Sequence, residues 1–151
     1  METNAKKSGK KLKELIIINN DRYEGYKTAA EETQDTSLKN LFVSYSNQSK
    51  LFSDELQGLI SDYSESPDEG ETKTTGKLYR IFMDMKAAIG GNNRKGILSS
   101  CEFGEDTAKK TYDDVLKDTD GIANEAVQII SKQRGELQKS HDKIKAMRDS
   151  A

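Results

Sequence analysis

Polar side chains interrupt the apolar stripe of each of the four long helices that the sequence predicts, close to the middle of the helix. Helix one carries Asn19, helix two Gln48 and Ser49, helix three Glu105 and helix four Gln133. Inward polar side chains at mid-height of a helical bundle either bind a metal or cofactor or form a buried hydrogen-bond network. We therefore expect a polar core layer formed by Asn19, Ser49, Glu105 and Gln133.

A di-metal centre is one chemistry that such a layer supports. Di-iron sites of helical bundles take a Glu from each of two helices and Glu-x-x-His from each of the other two. This chain has one histidine, His141, and Gln138 stands three residues before it. The candidate metal ligands are therefore Glu24, Glu105 and His141, with iron or manganese as the metal. These fall short of the roughly six ligands that a di-iron centre needs. We expect no tightly bound di-iron centre, no other cofactor and no catalytic residue.

Each candidate also has a purely structural interpretation. His141 lies at the edge of its stripe, where a half-exposed helix residue is expected, and Cys101 is expected to be a small buried apolar group. Glu105 is expected to accept hydrogen bonds inside the bundle or to pair with a cation. Its possible partners are Tyr23, Tyr45, Asn19, Gln133 and Arg22. For Glu105 we favour this structural network over metal binding.

Three glycines stand on the outer faces of the predicted helices. Gly25, Gly58 and Gly135 each cost about 1 kcal/mol of helix stability relative to alanine. One interpretation is neutral drift. The other is that the crossover helix or a second subunit approaches the helix closely at these positions.

Apolar side chains recur with a period of 3.6 residues and predict the helix boundaries. Helix one spans about 10–32, and helix two runs from a cap within 35–37 to about 63. A short helix spans 77–89. Helix three runs from a cap at Asn92 or Asn93 to about 117, and helix four fills the chain from about 122. Residues 1–9 are expected to form a flexible basic tail, and 10–151 a single bundle domain.

The lengths of the connections predict the topology. Two are short, whereas the connection between helices two and three is long and carries the short helix 77–89. A short–long–short pattern allows helices two and three to run parallel, with the crossover packed along the bundle. The expected fold is therefore all-α: a ferritin-like four-helix bundle with a long crossover carrying a short extra helix.

Composition excludes several classes of protein. The formal net charge is −2, so the chain lacks the strong basic field that attracts nucleic acid. No run of apolar residues is long enough to span a membrane or to form the apolar region of a signal peptide. The single Cys101 permits no intrachain disulfide. We expect a cytoplasmic protein.

Five segments resemble a known bacterial family. They are 19–26 (NNDRYEGY), 83–89 (MDMKAAI), 92–95 (NNRK), 104–112 (GEDTAKKTY) and 140–149 (SHDKIKAMRD). Together they resemble PA2169-type four-helix-bundle proteins, and the resemblance extends over about residues 12–149. It implies a ferritin-like fold and a domain of unknown function, with no assigned reaction.

The sequence is compatible with two main functions. The first is a non-catalytic bundle that acts through its surface, as an interaction or stress-associated protein, with a second copy or another protein as its partner. The alternative is a metal-binding or redox protein with a reduced ferritin-like carboxylate site. A weaker third possibility is membrane-surface binding through the lysine-rich tail. Enzymatic activity is the less favoured interpretation, because no nucleophile constellation, nucleotide loop or complete metal motif is present.

Overall fold

Helices account for nearly all of the described chain. The structure, a computed structural model, describes residues 4–61, 63, 71–73 and 76–151. Its five helices are α1 (Asn4–Glu32), α2 (Thr36–Ile60), α3 (Lys77–Gly90), α4 (Arg94–Leu116) and α5 (Asn124–Asp149). No strand occurs within these residues. The prediction of an all-α bundle with an extra helix in the long crossover is confirmed, and α3 is that helix.

Side-chain caps begin two of the helices where the sequence predicted them. Asp35 accepts a hydrogen bond from the Leu38 backbone N–H (3.1 Å) and begins α2, and Asn93 accepts one from the Gly96 N–H (3.0 Å) and begins α4. Such caps occupy backbone donors that the first helical turn leaves unpaired.

The N-terminal boundary differs from the prediction. Helix α1 begins at Asn4 rather than near residue 10, so residues 4–9, expected in a flexible tail, form its first turns. Ser8 is buried, and its hydroxyl donates to the Asp120 carbonyl (3.4 Å). Contact with the turn between α4 and α5 thus stabilises the start of α1. Composition alone does not indicate this contact. Residues 1–3 lie outside the described residues.

Pairs of contacts define the helix directions. Ser46 bonds to the Tyr23 carbonyl and Ser53 to the Asn20 side chain, so α1 and α2 are antiparallel. Helix α4 is also antiparallel to α1, because Arg22 pairs with Glu105 while Asn19 pairs with Tyr112. Helices α2 and α4 consequently run parallel, as the connection lengths predicted. Helix α3 packs against both α1 and α4.

Two apolar clusters form the core. One contains Leu12, Leu15, Phe52, Leu56, Tyr112 and Ile130, and the other contains Tyr26, Phe42, Tyr45, Leu98, Cys101 and Ile144. On α1, α2 and α4 the polar residues at 19–22, 49 and 105 lie between the two clusters. The bundle therefore holds a polar level between two apolar ones.

The crossover helix approaches α1 closely at Gly25. A Cβ atom built at Gly25 would overlap the ring of Phe82 on α3. At Gly58 and Gly135, a Cβ atom would meet nothing within 4 Å. Close approach of the crossover therefore accounts for Gly25 and not for the other two glycines.

Candidate functional site

A salt bridge buried inside the bundle joins α1 to α4. The Arg22 guanidinium donates from Nε to Glu105 Oε2 (2.8 Å) and from Nη2 to Glu105 Oε1 (2.6 Å). Both side chains are 1 % exposed. The remaining guanidinium nitrogen, Nη1, donates to Ser49 Oγ (2.8 Å) and to the Tyr45 carbonyl (3.2 Å). Two hydrogen bonds therefore join Arg22 to Glu105, and the guanidinium nitrogen that does not face Glu105 is also hydrogen-bonded. This geometry best offsets the free-energy cost of removing the two charges from water.

From Ser49 the hydrogen bonds continue without a break to α5. Ser49 Oγ donates to Asn19 Oδ1 (3.0 Å), and Asn19 Nδ2 donates to the Tyr112 hydroxyl (2.7 Å). Tyr112 donates in turn to Gln133 Oε1 (2.6 Å), and Gln133 Nε2 donates to Glu55 Oε1 (3.3 Å). The hydroxyls of Ser49 and Tyr112 each accept one hydrogen bond and donate another, so the donor and acceptor roles are consistent throughout this hydrogen-bond network.

The structure thus links all four residues of the polar core layer. Asn19, Ser49 and Glu105 lie at the level between the apolar clusters, whereas Gln133 reaches the network through Tyr112. Gln133 also donates to the Phe52 carbonyl, one helical turn from Ser49 along α2. The partner of Glu105 is Arg22, the one cation among the possible partners that the sequence indicated, and not a tyrosine or an amide.

Aromatic rings enclose the Arg22 guanidinium. Its Cζ atom lies 5.2 Å from the ring centroids of both Tyr26 and Tyr45, within the range of a cation–π contact. Burial lowers the pKa of Arg22, but the charge and hydrogen bonds of Glu105 outweigh it, so the net pKa is raised. Burial, together with the Glu105 charge, raises the pKa of Tyr45 to about 12. Arg22 is therefore a permanent cation inside the core.

This arrangement does not fit a cation at Glu105. Both carboxylate oxygens accept hydrogen bonds from Arg22, and the guanidinium charge lies where a metal ion would have to be. A metal ion there would meet electrostatic repulsion and would have to displace a two-point ion pair. The polar core layer is suited to holding four helices in register.

Cys101 and Tyr26 lie beside the ion pair, and burial disfavours the ionised form of both side chains. Cys101 is fully buried with Sγ 3.9 Å from Met85 Sδ, and burial raises the pKa of its thiol well above the usual value. The reactive species of cysteine is the thiolate, which this environment disfavours. The Tyr26 hydroxyl is the one buried side-chain polar atom without a hydrogen-bond partner among the described residues.

The other two metal candidates lie elsewhere. Glu24 is exposed on α1, on the side that α3 covers, whereas His141 lies on α5 opposite α4. His141 Nε2 is 3.1 Å from Asp106 Oδ1 and 3.9 Å from Glu102 Oε1. Sequence reasoning did not identify Glu102 and Asp106, although their spacing of four residues places both on one face of α4.

A groove of about 250 Å³ runs between α1 and α3. We call it the α1–α3 groove, and its principal lining residues are Asp21, Glu24, Tyr79, Phe82, Met83 and Ile89. Tyr79 and Met83 are one helical turn apart on α3, and their side chains are 41 % and 46 % exposed. Asp21 Oδ1 accepts the Lys73 backbone N–H (3.0 Å), and burial raises the pKa of this carboxyl.

None of the helices in the described ranges combines the length and apolar character that a membrane span requires. No curated protein matches the chain. A family model for a domain of unknown function (DUF2383) matches residues 7–118, which cover most of α1, all of α2, α3 and α4, and more than half of the sequence. The chain therefore belongs to the DUF2383 family of domains of unknown function, a family without an assigned reaction, as its resemblance implied.

Proposed function

We propose that this protein is a non-catalytic helical bundle that acts by binding another protein in the α1–α3 groove. The observation that supports the proposal is the exposure of Tyr79 and Met83 on α3, next to the buried acid Asp21 and the exposed Glu24. Exposed apolar side chains grouped around a concavity are typical of interaction surfaces. Helix α3 thereby has two roles, since its inner face packs on the bundle and its outer face forms the groove.

The contacts of the core support a surface role over a catalytic one. Arg22 and Glu105 bind each other, and the adjacent polar side chains complete the hydrogen-bond network. The alternative of a metal-binding or redox protein with a carboxylate site in the core requires Glu105 to leave Arg22, which would leave the Arg22 guanidinium buried without its counter-ion. Such a loss is strongly destabilising.

The chemistry of the groove predicts the character of its partner. The floor is apolar, whereas Glu24, Asp21 and Glu32 bring carboxylates to one side of it. Among the residues that the structure describes, Lys86 forms a salt bridge with Glu32, at 3.4 Å. A partner segment with apolar side chains flanked by lysine or arginine would match both features, because charge complementarity accelerates encounter and selects partners.

Photocrosslinking in living cells tests this proposal. A photoreactive phenylalanine analogue at Met83 would report contacts in the groove. The matched control is the same analogue at Leu51, an exposed apolar position on α2, which does not contact α3 in the described residues. We expect a discrete adduct at position 83 whose yield falls at least fivefold when Glu24→Lys is added, and no such adduct at position 51.

Three outcomes would overturn the proposal. They are equal adducts at both positions, an adduct at 83 that Glu24→Lys leaves unchanged, and no adduct at 83. An adduct of twice the chain mass would show that the occupant is a second copy rather than another protein. The stress association and the cytoplasmic location stay predictions, and fractionating the same cells before and after stress would test both.

A further inference from the structure

Three potential metal ligands converge on the face shared by α4 and α5. Glu102 and Asp106 lie one turn apart on α4, and His141 faces them from α5. One ligand atom from each lies within 4.8 Å of the other two, and no other such group occurs in the part of the chain that the structure describes. We propose that Glu102, Asp106 and His141 bind a divalent transition-metal ion, with water completing its coordination.

The distances suit a metal ion after small side-chain rotations. Ligand atoms at roughly 2.0–2.2 Å from one metal lie about 3–3.5 Å from each other in tetrahedral or octahedral geometry. His141 Nε2 is 3.1 Å from Asp106 Oδ1 and 3.9 Å from Glu102 Oε1. His141 and Glu102 are 13 % and 15 % exposed, whereas Asp106 is half exposed, which leaves a route for the ion and room for water.

The other imidazole nitrogen has the partner that metal-binding histidines usually have. His141 Nδ1 lies 3.1 Å from Asp142 Oδ1, and Gln138 Nε2 donates to the same oxygen (2.8 Å). A carboxylate that accepts from Nδ1 fixes the ring and directs the Nε2 lone pair outward, here toward two carboxylates. Three hydrogen-bond acceptors, each with a lone pair to donate, then face one another, and a cation between them satisfies all three.

Neighbouring cations leave the required oxygen of Glu102 available. Arg148 bonds to Oε2 of Glu102, whereas Oε1 is the oxygen that faces His141. Lys109 lies 3.6 Å from Asp106 Oδ1 and also donates to Gln138, so its ammonium can remain on the amide when a metal binds. The site is distinct from the polar core layer, because Glu105 points inward to Arg22 and Asp106 outward.

The ligand set defines the class of ion. Imidazole nitrogen favours zinc, iron and nickel over magnesium and calcium, while carboxylates also accept manganese. Three protein ligands with open positions resemble an accessible site rather than a closed structural one. The predicted ligand is therefore a first-row divalent ion, with Zn²⁺ the best probe and Mg²⁺ the discriminating control.

Nuclear magnetic resonance tests the site directly, because the chain has a single histidine. In tag-free protein, one equivalent of Zn²⁺ should shift the Nε2 resonance of the imidazole, while excess Mg²⁺ should not. By competition with a chromophoric chelator, Asp106→Asn and His141→Gln should each weaken Zn²⁺ binding at least tenfold. Asp114→Asn, an exposed acid on the same helix, should change it less than twofold. An imidazole spectrum unchanged by Zn²⁺, or affinities within twofold in both ligand variants, would overturn the proposal.

Discussion

Arg22 on α1 and Glu105 on α4 form a two-point salt bridge in the middle of the bundle, with both side chains 1 % exposed. The pair connects two helices that are distant in sequence, and the network beyond Ser49 extends it to α2 and α5. Buried ion pairs are costly to break and contribute little net stability while intact. We infer that the pair selects one helix register more than it strengthens the fold.

Removing one member of this pair should destabilise the protein severely. In Glu105→Ala, the Arg22 guanidinium stays buried without its counter-ion, which costs about 3–5 kcal/mol of unfolding free energy. The double variant Arg22→Met, Glu105→Leu should recover most of that loss, because it leaves no unpaired charge. Urea denaturation measures both variants. A loss below about 1 kcal/mol in Glu105→Ala would contradict the paired geometry.

The glycines provide a second test, with controls inside the same chain. Gly25→Ala should lower the unfolding free energy by about 1–3 kcal/mol, because its Cβ atom displaces the whole Phe82 ring. Gly58→Ala and Gly135→Ala meet open space and should raise it by up to about 1 kcal/mol. Thermal unfolding gives all three values. A stabilising Gly25→Ala would show that α3 does not pack on α1 at this position.

Two tyrosines differ in what their hydroxyls contribute. Tyr112→Phe removes the link between Asn19 and Gln133 and should cost about 1–3 kcal/mol, since both amides lose a buried partner. Tyr26→Phe removes a hydroxyl that has no partner among the described residues and should be neutral or stabilising. Equal losses in the two variants, measured by denaturant unfolding, would rule out the directional network.

Alkaline pH should destabilise the fold through Tyr45. Its folded-state pKa is raised to about 12, whereas an unfolded tyrosine titrates near about 10. A raised pKa means that its contribution is complete below the unfolded value and is lost as pH rises from about 10 toward 12. Tyr45→Phe should therefore flatten the decline of unfolding free energy across that interval. Parallel pH profiles for the variant and the wild type would contradict the raised value.

The sequence predicts helices far better than it predicts their mutual register. Asp35 and Asn93 are local capping signals, so the starts of α2 and α4 follow from the chain itself. The sequence indicated Arg22 only as one of several possible partners of Glu105, because a charged residue is normally placed on the solvated face. Arg22 stands three residues after Asn19 and so lies on the same helix face, and this spacing was the sequence signal that could have placed Arg22 in the core.

The register of α4 against α5 explains why Glu102 and Asp106 were not identified from the sequence. Glu102 and Asp106 are recognisable as a pair on one face of α4, but nothing local indicates that His141 lies opposite them. Glu24, Glu105 and His141, the candidates chosen by residue type, do not come together. The helix contacts, rather than the composition, decide which acids meet the histidine.

We propose that the polar core layer is structural and that the α1–α3 groove carries the function. Photocrosslinking at Met83 in the Arg22→Met, Glu105→Leu double variant tests it most directly, with helicity and melting temperature measured on the same protein. We expect a folded protein whose adduct yield at position 83 lies within twofold of that obtained with the native Arg22–Glu105 pair. Loss of the adduct from a variant with unchanged helicity and melting temperature would contradict the claim, because the ion pair would then act in binding.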